Sequence, residues 1–192
     1  MAKVDPQYRK AIEQIRIDAE NFANSSMKNV YSLNKKELDE LHMKIAKIYI
    51  DYAQDGYLKL SRQDKKKITD DVNNKLKSMG LNLGKAEVAT VSSILGSVFK
   101  TTYYKNAFVL ESGMAGNIKF NILKKEFIDS AVNAKFKEAT FSDRIWNNKA
   151  NMIDKLKKSI VEAYKGNTAI DKIAKDIQHT FNVSASDSNR LV

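Results

Sequence analysis

A chain of 192 residues, 43% hydrophobic and 29% charged, is long enough to bury the core of one domain or of two small ones, which excludes a disordered polyelectrolyte. Seven glycines and one proline, Pro6, supply too few turns for a sandwich or barrel, and the absence of cysteine removes disulfides, thiolate metal sites and cysteine nucleophiles together. Thirty-three basic residues against 23 acidic ones leave a net charge of +10, spread as +4 over residues 1–96 and +6 over residues 97–192, which suits a polyanionic partner or plain solubility.

No apolar run approaches the roughly 20 residues that a membrane helix needs, and Met1 to Pro6 lack the apolar stretch of a signal peptide. Tyr8, Ile12, Ile15, Ala19 and Phe22 alternate steps of four and three, predicting a first helix from Pro6 to about Met27. Leu38, Leu41, Ile45, Ile48 and Tyr52 repeat that rhythm for two heptads and stop near Asp55-Gly56. Ser61 and Asp64 form a capping-box-like start to a third helix carrying Ile68, Val72 and Leu76, for which Gly80 is the expected end.

Residues 85–110 are richer in apolar side chains, with Val88, Val91, Leu95, Val98, Phe99, Thr102 and Tyr103 at helical spacing, and predict a central, largely buried helix. Its aromatic and β-branched tail, 103–110, competes as a short extended piece. Residues 111–117 read as a loop, and Ile118, Phe120 and Ile122 alternate as one short extended segment near 118–122. A helix from about Lys124 to Lys137 follows. Ser142 is the expected N-cap of the next helix, whose apolar face runs through Trp146, Ala150, Ile153, Leu156, Ile160 and Tyr164 to Gly166. Thr168 and Asp171 open another, carrying Ile170, Ile173, Ala174, Ile177 and Phe181, and the short Gly166-Asn167 link makes these two helices a hairpin or corner. Ser184 and Asp187 form one more capping box, with little chain after it, which reads as the start of a cut-off helix. The expectation is an all-α bundle of long helices.

Residue types suited to catalysis do not converge. His42 and His179 fall on different predicted helices with no ligand cluster around them, so no metal site is expected. Ser112-Gly113 and Gly113 to Gly116 lack the spacing of a nucleophile elbow or a phosphate loop. Asp70 and Asp71 are adjacent on a helix and diverge. Three lysine clusters, Lys65, Lys66 and Lys67, Lys124 and Lys125, and Lys155, Lys157 and Lys158, are candidate contacts to DNA phosphates, although neighbouring acids also fit a solvated helix face. No helix-turn-helix, zinc-finger or basic-zipper pattern is present, so such contact would be backbone-directed.

The last fifty residues resemble a known family. Ser142, Arg144 and Trp146, then Gly166, Ile173 and Ala174, then Arg190 and Leu191, are similar to the pattern of the phage head morphogenesis family, the Mu F-like minor head (minor capsid) proteins of tailed phages and prophages. In that family the Arg-Leu run leads into Arg-Thr-Glu, whereas this sequence stops at Val192. The resemblance divides the chain into an N-terminal helical region, 1–140, and a family-like helical segment, 141–192, cut before the family's C-terminal part. It implies a structural minor head protein, incorporated with the portal during procapsid assembly. Such a protein has portal and capsid or scaffold proteins as partners, and resides in the phage head interior after assembly in the host cytoplasm. It implies neither enzyme activity, cofactor nor metal for this portion, and no membrane. Two other readings stand beside it: non-sequence-specific binding of double-stranded DNA as the main activity, motivated by the +10 charge, and a phage-encoded enzyme or toxin module, which would need a convergent polar pocket.

Overall fold

Apolar residues at alternating three- and four-residue steps put one stripe on each helix, and the chain buries those stripes by laying helices side by side. A computed structural model describes residues 6–113, 120–166 and 168–190. These form α1 (Pro6–Ser26), α2 (Lys28–Tyr52), a hairpin of β1 (Ala53–Gln54) and β2 (Tyr57–Leu58), α3 (Arg62–Gly113), α4 (Lys125–Val132), α5 (Phe141–Tyr164) and α6 (Ile170–Asn189). The fold is all-α apart from that hairpin, in which Ala53 pairs with Leu58 and Gln54 with Tyr57.

The longest element differs most from its sequence reading. Gly80 does not end a helix: α3 runs through it for 52 residues, about 78 Å at 1.5 Å per residue. The reason lies in α5. A Cβ at Gly80 would meet Ile153 Cγ1 at 3.0 Å, and one at Gly84 would meet the Trp146 ring at 2.2 Å, so both glycines let α5 lie directly on the α3 backbone. Close packing thereby outweighs the roughly 1 kcal/mol that an interior glycine costs a helix. The expected separate helix over 85–110 is the continuation of α3, and its tail at 103–110 is helical, not extended. It is buried only in part, since Val91 and Ile94 are inside while Phe99 and Phe108 are exposed.

Other boundaries move for local reasons. α1 and α2 join through Met27, itself helical, whose amide bonds to the Ala23 carbonyl (3.2 Å) and whose carbonyl accepts from Tyr31 (3.1 Å). Asp55 and Gly56 both have positive φ (54° and 81°), which the two-residue turn of a hairpin requires. Glu111 to Gly113 still belong to α3, and the rest of the expected loop, with Ile118, lies outside the described residues. Phe120 to Ile122 pair with no strand; the Tyr103 hydroxyl donates to the Asn121 carbonyl (3.1 Å) and the Leu123 amide donates to the Tyr104 hydroxyl (3.0 Å). α4 stops at Val132 instead of reaching Lys137, because the chain reverses at Lys137-Glu138, both at positive φ, with Phe136 bridged to Ala139.

One core cluster joins Leu41, Ile45 and Ile48 of α2 to Val72, Leu76 and Met79 of α3, to Ile153, Leu156 and Ile160 of α5 and to Ile173, Ile177 and Phe181 of α6. The packing therefore runs straight across the junction at residue 140. A second, smaller cluster joins Ala23, Met27 and Val30 to Val91, Ile94 and Ile145. Beyond it, α1 and α4 flank the C-terminal half of α3, where Lys105 meets Asp18 at 2.8 Å and Gly96 faces Ile128.

Candidate functional site

The family-like residues are distributed along the α5–α6 hairpin, and most of them serve to build it. Thr140, not Ser142, is the N-cap of α5. The Asp143 amide donates to Thr140 Oγ1 (3.1 Å) and the Thr140 amide donates to Asp143 Oδ2 (2.9 Å), a complete capping box two residues before the serine. The backbone and hydroxyl hydrogen bonds from Thr140 hold the Asp143 carboxyl below the usual range. Ser142 lies half-buried in the first turn. Arg144 donates to the Phe136 carbonyl and stacks over the Phe136 ring (5.5 Å to the centroid), tying α5 to the preceding turn. Trp146 covers Gly84, and Ala150 faces solvent.

Sequence reading missed the centre of this hairpin. Lys149 and Glu87 are both fully buried and form an ion pair at 2.6 Å, while Lys149 Nζ also donates to Ser184 Oγ (3.1 Å). One buried pair thus ties α3, α5 and α6 together. The signal was the stripe Ile145, Met152, Leu156, which starts one residue before the Trp146 stripe, joins it at Leu156 and places Lys149 inward. Ser184 consequently caps nothing: α6 continues through Ser184 and Asp187 to Asn189, overturning the expected helix start there. The helix turn buries that serine, and its hydroxyl accepts a hydrogen bond from Lys149 Nζ.

Gly166 sits at φ 80°, and a Cβ there would come within 3.0 Å of the Leu58 carbonyl oxygen, so the α5–α6 corner closes on the β-hairpin. Ile173 is fully buried, and the Ala174 carbonyl lies 3.3 Å from His42 Nε2. Tyr49 donates to the Thr168 carbonyl (2.7 Å), and burial pushes the hydroxyls of both Tyr49 and Tyr164 above their usual range. Arg190 is exposed, 3.6 Å from Asp187, and Leu191 lies outside the described residues.

The three lysine clusters do not form one surface. Lys65, Lys66 and Lys67 are exposed at the start of α3. Lys124 and Lys125 are exposed beside α4, which packs over Gly96, some 45 Å further along α3 at 1.5 Å per residue. Lys155, Lys157 and Lys158 are exposed on α5. Lys155 lines a groove of about 430 Å³ between α5 and α6, which it shares with Arg144, three asparagines of α5 and Arg190. Histidines 42 and 179 are apart, the first between helices and the second exposed. Ser112 donates to the Phe108 carbonyl within α3, and Asp71 pairs with Lys44 at 2.6 Å. Among the described residues no group of three or more His, Cys, Asp or Glu could hold a metal ion.

At the other end, α1, the last turns of α3 and the segment around α4 leave large apolar side chains open. Phe22, Phe108, Ile122 and Phe127 are exposed there, and apolar recesses of about 430 and 440 Å³ run along α3 beside α4 and α1. Compared with protein-family models, with curated proteins and with solved structures, the chain has no match.

Proposed function

We propose that this chain is a structural minor head protein of a tailed phage or prophage, of the head morphogenesis type, without catalytic activity of its own. It is carried into the head interior with the portal, and the portal and the capsid or scaffold proteins are its partners during assembly. The observation that carries this reading is the placement of the family-like residues. Arg144, Trp146, Gly166, Ile173 and Ala174, spread over thirty positions of sequence, each fix one contact that closes a single α5–α6 hairpin onto the rest of the fold. A pattern of that kind is what a scaffold-building motif needs. The open apolar end of α1, α3 and α4 suits docking onto a larger assembly, because a soluble chain gains by covering such side chains. The test is co-expression with the portal, scaffold and capsid proteins of a tailed phage. Portal-bearing procapsids should retain the chain through purification, and procapsids lacking it in spite of co-expression would overturn the reading.

A second reading, non-sequence-specific contact with packaged DNA, is favoured by the exposed cations Lys65, Lys66, Lys67, Lys155, Lys157 and Lys158. A gel shift at about 50 mM salt tests it, since electrostatic contact is strongest at low salt.

A further inference from the structure

The groove between α5 and α6 differs from the lysine clusters in being a built recess. Arg144, Asn147, Asn151 and Lys155 recur along one face of α5 at steps of three and four, so that wall extends 11 residues, about 16 Å. Facing them, α6 contributes Ser184 and Asp187, and Arg190 follows its last residue. The walls are pinned at mid-length, where the Asn148 side-chain amide donates to the Ser184 carbonyl (3.0 Å). Asn147, Asn151 and Lys155 are exposed.

From this arrangement we infer that the α5–α6 groove is a binding site for the phosphodiester backbone of a nucleic acid strand; the inference rests on the DNA-contact reading and gives it a location. Three positive charges line the groove with amides between them, although Arg144 also donates to the Phe136 carbonyl and Arg190 lies 3.6 Å from Asp187. A compact anion such as free phosphate wants convergent donors, whereas a polyanion wants them at intervals. Arginine, lysine and asparagine side chains are donors that phosphate oxygens accept, and they carry no base readout when so used. The +10 charge of the chain favours a long polyanion over a short acidic peptide. Asp187 is the one carboxylate lining the groove and works against the ligand.

The experiment is fluorescence anisotropy of a 30-base-pair mixed-sequence duplex against the full chain, titrated between about 50 and 200 mM salt. The Lys155→Ala/Arg190→Ala variant should lower the salt slope by about 1.8, and each single change should weaken binding about eightfold at 0.1 M salt, the effect of one released counterion. Lys124→Ala/Lys125→Ala, which removes the same charge beside α4, should leave affinity near wild type. Asp187→Asn should tighten binding about fivefold, the effect of one unit charge some 4 Å away in water. No binding by wild type at 50 mM salt overturns the DNA-contact reading and the groove with it. Binding that falls equally in both double variants overturns the groove alone, as does competition by poly-glutamate equal to that of DNA at the same charge concentration.

Discussion

Two halves of one helix behave differently. The first half of α3 is enclosed, with Ile68, Val72, Leu76, Met79 and Leu83 buried in the core cluster that α3 shares with α2, α5 and α6. After Ile94 the one residue of this helix that is buried, among the described residues, is Ala107, and Phe99, Tyr104, Phe108 and Leu110 stand exposed. The contrast is one of neighbours. The enclosed half packs against the long helices α2 and α5, which α6 backs in turn, whereas the open half has α1 and the eight-residue α4, which leave recesses unfilled. Apolar burial is concentrated at one end, and open apolar surface at the other.

The buried ion pair is where that contrast is broken most severely. Removing one partner, by Lys149→Met or Glu87→Leu, leaves an uncompensated charge among apolar side chains and should cost about 3–5 kcal/mol in urea unfolding. The Glu87→Leu/Lys149→Met double variant should recover most of that loss, because two apolar groups leave no charge to solvate. A double variant as unstable as the sum of the singles would mean that the pair is needed for its geometry.

Truncation sharpens the comparison directly. Leu156→Ala, in the closed end and fully buried, should cost about 2–5 kcal/mol, while Phe108→Ala, 70% exposed on the open end, should lie within about 0.5 kcal/mol of wild type. Equal effects would show that the open end is covered in solution. Gly84→Ala comes next. Its methyl would collide with the Trp146 ring, so overpacking of about 1–3 kcal/mol stands against up to about 1 kcal/mol gained in helix propensity. Trp146 is the only tryptophan, so its emission reports the displacement as a red shift.

Helices were legible in this sequence wherever a stripe met a long partner: Tyr8 to Phe22, Leu38 to Tyr52 and Ile170 to Phe181 each predict an element that the fold contains. What failed was punctuation. Gly80 carries a stop signal that only the approach of Ile153 cancels, and that approach is a tertiary fact. Ser142 and Ser184 carry start signals of the right residue type, yet Thr140 caps α5 and Ser184 is swallowed by α6. Asp55-Gly56 did contain its hairpin, obscured because each strand is only two residues long. The candidate groove was half legible: Lys155 stood out as a candidate phosphate contact and Arg144 and Arg190 as family-like positions, but their common recess depends on how α6 lies across α5.

Acid provides the mildest probe of the two ends. Asp18 on α1 is held below the usual aspartate range by the hydrogen bond from Lys105 of α3, and then by that from Gln14. A carboxyl whose folded value is depressed adds stability above its unfolded value, about 3.9, and loses it as pH falls through the folded one. Between pH 7 and 5 nothing should change. Below pH 4 the strap between α1 and α3 loosens. Glu40 is likewise held down by Lys75, but that lysine also binds Glu37 (2.8 Å), and α2 has the main core beneath it. Hydrogen exchange at pH 3 should therefore show protection lost first in α1 and the last turns of α3, with α2 and α5 retaining theirs. Simultaneous loss in all four would mean that the open end is as firmly held as the closed one, and the contrast between the halves of α3 would not extend to stability.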